Sequence, residues 1–327
     1  MATLTLGKAL NEGLRKALEN DPKVLIMGED VGALGGVFRV TDGLAKDFGE
    51  DRVIDTPLAE SGIIGTAVGL AIRGFRPVCE IQFDGFVYPA TDQIVSQLAK
   101  MRYRSRGNVT LPVVIRIPFG GGIGAVEHHS ESPEVFFAHT AGLRVVACAD
   151  PADAFAMIQL AIASDDPVIF FEPKRRYWDK AEVDTAAPLS GALPLDQART
   201  VHAGTDVTLL SYGPLVRTCV EAALAARQDG RSVEVIDLRS LSPLDMPTVA
   251  ASVAKTGRCV VAHEAPVYAG LGAEIAARVT EQCFYSLEAP VLRVGGFAIP
   301  YPPARAEDHY LPDLDRILDA VDRTFAY

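Results

Sequence analysis

The chain has 327 residues, room for two domains at roughly 150 residues each. Hydrophobic residues make up 49% and charged residues 22%, proportions that exclude disorder, collagen-like repeats and coiled coil. A formal net charge of −11 argues against nonspecific binding to nucleic acid or to an anionic membrane.

In chain order, short β-branched runs alternate with helical patterns. Val24-Leu-Ile-Met27, Val53-Ile54, Val78-Cys-Glu-Ile81, Val113-Val-Ile-Arg-Ile117, Leu143-Arg-Val-Val-Ala147 and Val168-Ile-Phe-Phe171 read as strands. Helical stretches lie between them, at 5–20, 60–73, 91–104 and 153–164. Several strands are nearly continuous in apolar residues, which suits a parallel sheet covered on both faces. After Pro173 the texture changes. Residues 173–205 mix charges with Pro188 and Pro194 and hold no sustained period, so a linker is expected over 176–204.

Alternation resumes with Val207-Thr-Leu-Leu-Ser211, Val233-Glu-Val-Ile-Asp237, Cys259-Val-Val-Ala262 and Val291-Leu-Arg-Val294. The helices that go with them are expected at 215–227, 245–255, 271–287 and 312–325. In the helix from 271, Leu271, Ile275, Val279 and Cys283 recur every four residues and mark a buried stripe. The expected fold is α/β, with two doubly wound domains at 1–175 and 205–327.

The five cysteines, Cys79, Cys148, Cys219, Cys259 and Cys283, never come closer than 24 residues. That spacing excludes a zinc ribbon and leaves small buried thiols in a reducing compartment. The N-terminus lacks the charged, apolar and then small order of a signal peptide. No apolar run reaches the length of a membrane span. A soluble, cytoplasmic protein is expected.

Phe119-Gly-Gly-Gly-Ile-Gly-Ala125 follows a strand and formally contains G-x-G-x-x-A. A dinucleotide fingerprint needs a helix opening directly after it. Here the next residues, from Val126 to Pro133, carry no apolar stripe. A loop that brings backbone close to a neighbour is favoured. Neither G-x-x-x-x-G-K-[ST] nor G-x-S-x-G occurs, and Gly-Asp-Gly followed by Asn-Asn is also missing.

His128-His129-Ser130 follows the glycine loop. A histidine there can exchange protons near neutral pH, or simply form a solvated turn pair. Glu60 also carries two readings. The helix dipole favours an acid in the first turn. Alternatively, a carboxyl heading the most apolar helix is desolvated and its pKa raised. Glu80-Ile-Gln-Phe-Asp-Gly-Phe-Val-Tyr-Pro89 leaves a strand end, where open α/β sheets bind ligands. Gln82, Phe86 and Tyr88 are therefore candidate pocket lining, as well as ordinary aromatic packing.

Together these segments resemble a known family. Gly28-Glu-Asp-Val31, Gly36-Val-Phe-Arg39, Thr56-Pro-Leu-Ala-Glu60 and Glu80-Ile-Gln-Phe83 are similar to the beta subunit of the thiamine-dependent component of 2-oxo acid dehydrogenase complexes. So are Asp92-Gln-Ile-Val95, His129-Ser-Glu-Ser-Pro-Glu134, Glu234-Val-Ile-Asp-Leu-Arg239, His263-Glu-Ala-Pro266 and Leu287-Glu-Ala-Pro290. The resemblance spans essentially the whole chain. Tyr103-Arg-Ser105, Phe136-Phe-Ala-His139 and Phe171-Glu-Pro-Lys174 resemble the branched-chain (2-oxoisovalerate) members most.

The resemblance implies two transketolase-like domains, an N-terminal pyrimidine-binding domain and a C-terminal domain, and a split active site. An alpha subunit carries the missing Gly-Asp-Gly…Asn-Asn signature, holds Mg2+ and the diphosphate of thiamine diphosphate, and joins the beta subunit in an α2β2 heterotetramer. Glu60 matches the glutamate that hydrogen-bonds the aminopyrimidine ring, and His129 the histidine that handles protons during acylation of a lipoyl group on the acyltransferase component. Leu58 and Gln82 fall on positions contacting the ring, and Glu29 has a supporting role. Phe86 stands where branched-chain relatives have tyrosine; Tyr88 reaches the same side if the segment is extended. A K+ site is implied near residues 112–114 and 161–166, where Val114 and Ser164 replace side-chain ligands of some relatives. Pyruvate and acetoin dehydrogenase beta subunits share the frame. From other classes, a nucleotide-binding reductase would use the glycine loop, and a silent interaction subunit would need neither Glu60 nor His129.

Overall fold

The computed structural model describes all 327 residues, Met1–Tyr327. Its larger sheet has seven strands, in the spatial order Ser240–Ser242, Arg144–Ala147, Val168–Pro173, Val114–Phe119, Arg76–Glu80, Val24–Gly28 and Val53–Asp55. All neighbours run parallel except the first pair. Val24–Gly28, Val114–Phe119 and Val168–Pro173 are buried along their whole length, as their continuous apolar runs require.

Alternate residues of these strands feed two different cores. Ile26, Val78 and Val114 pack with Leu10 and Leu14 of helix Leu6–Asn20 and with Ile158 of helix Pro151–Ala163. Met27, Cys79 and Ile115 pack on the other face with Ile63, Ile64 and Ala67 of helix Glu60–Ile72. Local chemistry sets the helix starts. Thr5 accepts the Lys8 N–H at 3.2 Å, and Asp150 accepts the Asp153 N–H at 3.0 Å ahead of Pro151. The helical run after Thr91 contains a π-helical stretch, Gln93–Leu98, before it tightens into Ala99–Arg104.

A second sheet of five strands follows the order Leu292–Gly296, Cys259–Pro266, Val207–Ser211, Val233–Asp237 and Arg199–His202. Helices Val216–Ala226 and Leu314–Arg323 close one face through Cys219, Ala222, Ile317 and Val321. The stripe on helix Leu271–Cys283 is buried on the other face, where Leu271, Ile275, Val279 and Cys283 are each at most 5% exposed. That face joins the Glu60 side of the first sheet in a single cluster, so the two halves share a core. All five cysteines are buried and free.

Residues 176–204, expected to lack elements, contain two short strands. Lys180–Val183 pairs antiparallel with Ala2–Thr5, and Arg199–His202 pairs antiparallel with Val233–Asp237. Each has four residues and exposed positions, too short a run for a hydrophobic period to register. No helix is long and apolar enough to cross a membrane.

Candidate active site

Three chain segments converge at one end of the larger sheet. Strand Val24–Gly28 delivers Glu29, strand Arg76–Glu80 delivers Gln82 and Phe83, and helix Glu60–Ile72 begins at Glu60. Glu29 and Glu60 are both half-buried. Burial holds the Glu29 carboxyl above its ordinary range, and the neighbouring carboxylates of Asp30 and Glu60 push the same way. The Gln82 side-chain amide donates to the Glu29 carbonyl and to Asp30 Oδ2, both at 3.4 Å. Leu58, two residues before Glu60, is 73% exposed.

The helix that starts at Glu60 is apolar nearly throughout, yet one side of it is bare. Ser61, Gly62, Gly65, Thr66 and Gly69 are exposed along that side. The apolar residues Ile63, Ile64, Ala67, Val68 and Ala71 face the core, and the bare side carries serine, threonine and glycine. Glu60 therefore stands at the rim of an uncovered face and is not enclosed within this chain.

His129 sits in an aromatic slot beside this group. Its ring stacks on Phe83 with centroids 4.0 Å apart and planes 13° apart. Phe86 meets the same ring edge-on at 5.1 Å. Nδ1 lies 2.9 Å from the His128 carbonyl oxygen, which can only accept, so Nδ1 carries the proton. The neutral ring then leaves Nε2 as its acceptor.

Tyr88 does not join Phe86. The segment Asp84–Ala90 is a 3-10 helix, not an extended strand, so residues two apart point in different directions. Tyr88 instead donates to Glu131 at 3.3 Å and lines a cavity of about 530 Å³ with Phe136, Tyr268 and Tyr301. This cavity separates the loop after His129 from the second half of the chain, and Ser130 and Glu131 form part of its wall.

The glycine loop is a clasp between the two halves. Gly120, Gly122 and Gly124 adopt positive φ, at 82°, 84° and 70°. Glu264 accepts the Gly121 N–H at 3.0 Å, and Glu307 accepts those of Gly122 at 2.7 Å and Gly124 at 3.0 Å. The amides that a phosphate would need are already engaged by carboxylates. Only a 3-10 turn, Glu127–His129, and the five-residue helix Glu134–Ala138 follow. The loop reading of this motif stands.

The sequence expectations are thus partly assembled. Glu29, Glu60 and Gln82 come together, and Phe86 and His129 form an adjoining group. Sequence reasoning passed over Phe83, whose ring lies flat against His129, although it stands between two residues that were singled out. It also passed over Asp84 and Lys174, a buried ion pair beneath the histidine loop. No three His, Cys, Asp or Glu side chains converge as a metal site. In the segment implied for K+, the Ile162 and Ser164 carbonyls accept from the Arg76 guanidinium at 3.0 and 3.1 Å. The Val113 carbonyl accepts the Val168 N–H at 2.9 Å.

Residues 2–179 match the transketolase pyrimidine binding domain, and residues 196–317 the transketolase C-terminal domain. The pyruvate dehydrogenase E1 component subunit beta of Leifsonia xyli is 63% identical over 325 residues, 99% of this chain and 96% of its own. The 3-methyl-2-oxobutanoate dehydrogenase subunit beta of Mycobacterium tuberculosis is 57% identical, over 98% of this chain and 92% of its own. The 2-oxoisovalerate dehydrogenase subunit beta of Pseudomonas aeruginosa is 45% identical, over 99% and 95%. Among solved structures, a split gene transketolase, in an inactive beta4 tetramer, aligns with a TM-score of 0.78 over 99% of this chain and 98% of its own. Its 22% identity bears on the fold alone.

Fold and domain matches define the class as transketolase-like. Within it, the chain belongs to the beta subunits of the E1 components of 2-oxo acid dehydrogenases, a thiamine-diphosphate-dependent family of oxidoreductases.

Proposed function

We propose that this chain is the beta subunit of a branched-chain (2-oxoisovalerate-type) dehydrogenase and holds the aminopyrimidine end of thiamine diphosphate in an α2β2 tetramer. Bound there, the cofactor would supply a nucleophilic carbon for decarboxylation of a 2-oxo acid. Glu60 would hydrogen-bond a nitrogen of the aminopyrimidine ring and share a proton with it, with Glu29 beside it. Leu58 offers an exposed apolar contact, Gln82 a polar one, and Phe86 an aromatic wall without a hydroxyl. His129, with Nδ1 donating to the His128 carbonyl, presents Nε2 for proton transfer as the acyl unit passes to a lipoyl group of the acyltransferase component.

The observation that carries this reading is the division of labour within the chain. Carboxyl, amide and imidazole groups gather at one rim, while the glycine loop amides are filled by Glu264 and Glu307. Such a chain has the proton-handling half of a site and needs another to hold the diphosphate and Mg2+. The bare face of helix Glu60–Ile72 supports an alpha subunit as that cover. K+ has no part in the proposal, because Arg76 already bonds two of the implied oxygens.

Pyruvate is the second reading, favoured by the 63% identity to a pyruvate dehydrogenase subunit. Co-expression with an alpha subunit bearing Gly-Asp-Gly…Asn-Asn, followed by kcat/KM for 2-oxoisovalerate and for pyruvate, separates the two. A higher value for pyruvate replaces the branched-chain assignment. No activity with either, with both subunits assembled and cofactor present, overturns the proposal.

A further inference from the structure

Lys174 directly follows strand Val168–Pro173 and is 2% exposed; Asp84, facing it, is fully buried. An ion pair at such depth forfeits the hydration of both charges. Burial pushes the Asp84 carboxyl up to about 6 and the Lys174 ammonium down. A hydrophobic pair would fill the same space at less cost, so what the pair touches is informative.

All its contacts lead to one place. Lys174 Nζ bonds Asp84 Oδ1 and donates to the His129 carbonyl at 2.5 Å. Asp84 Oδ2 accepts the Glu131 N–H at 2.8 Å. The pair therefore grips the backbone on both sides of Ser130. The same ammonium lies 5.5 Å from the centroid of the Phe83 ring, and that ring stacks on the His129 imidazole. Backbone and ring are fixed from a single buried point.

We infer that the Lys174–Asp84 ion pair is a positioning device for His129, setting the place and orientation of the imidazole for lipoyl acylation. The inference rests on the reading of His129 as the proton-handling histidine. Neither Lys174 nor Asp84 touches cofactor or substrate; each acts through the loop.

The test uses the reconstituted α2β2 enzyme and its two half-reactions. Decarboxylation is followed with an artificial electron acceptor, and acylation with a free lipoyl domain. Asp84→Leu/Lys174→Met removes both charges at once, so no buried charge is left unpaired. The kcat for lipoyl-domain acylation is expected to fall about tenfold or more, since small misplacements of a catalytic group are costly. KM for the lipoyl domain stays within about twofold, and decarboxylation falls far less than acylation. In a His129→Ala background the same double substitution adds less than about twofold, because its effect runs through the missing ring.

Equal losses in both half-reactions, or a further loss of about tenfold without the histidine, overturn the inference alone. A His129→Ala enzyme that acylates normally overturns the histidine's role, and the inference with it. Should the double variant fail to assemble, Asp84→Asn carries the same comparison.

Discussion

Gly85→Ala is a small change with a calculable consequence. A Cβ at Gly85 would lie 2.3 Å from the His128 carbonyl oxygen and 2.8 Å from the His128 Cβ. Ordinary contact starts at 3.4 Å, so one backbone segment must retreat by about 1 Å. The displaced oxygen is the one that accepts from His129 Nδ1. Moving a catalytic group by about 1 Å can cost ~10²-fold in rate, or about 2.7 kcal/mol in the barrier. Gly85 does not occupy the left-handed region, so alanine adds no backbone strain of its own and the close approach carries the effect. Single-turnover acylation of a lipoyl domain by the reconstituted enzyme measures this directly. A rate within about twofold of wild type, in an enzyme where His129→Ala abolishes acylation, would refute the argument that this contact sets the histidine.

Other predictions concern stability. Ile275 is wholly buried in the core shared by both halves; Ile275→Ala should cost about 2–5 kcal/mol. Urea unfolding should remain one transition, whereas two separated transitions would contradict a shared core. Burial raises the Glu134 carboxyl from an ordinary 4.5 to about 7, so the fold favours its protonated form. Its contribution is complete below 4.5 and is lost as pH rises through about 7. Glu134→Gln should flatten that part of the stability profile while still accepting from Tyr212; an unchanged slope counts against it. His263 behaves oppositely. Burial lowers it from 6.5 to about 4, so its contribution is present above 6.5 and lost as pH falls towards 4. A His263→Gln chain whose thermal midpoint falls with acid as steeply as wild type would contradict this.

The elements that the sequence announced are those whose physics is local. Val114–Phe119 and Val168–Pro173 are buried on both faces and must be apolar throughout, so a short window suffices. The stripe from Leu271 to Cys283 was legible because one helix face meets one core. Lys180–Val183 was not, because four residues pairing with Ala2–Thr5 depend on a partner far away in the chain. The site divides similarly. Glu60 at a helix start and His129 after the glycine loop could be singled out from residue type and place. Phe83 against His129, and Lys174 against Asp84 across 90 residues, are tertiary pairings without a local signature. The direction of Tyr88 turned on whether a strand end continued extended or coiled into a 3-10 turn, which Gly85 and Pro89 left open.

The central claim is that Glu60 belongs to a cofactor site completed by a second chain. Its most direct test is cofactor-dependent decarboxylation of 2-oxoisovalerate by the assembled tetramer carrying Glu60→Ala, with assembly verified by sedimentation. Loss of a positioned proton-sharing group typically costs ~10²- to 10⁴-fold, and a fall of at least ~10²-fold is predicted. Full turnover in the Glu60→Ala tetramer would contradict the account.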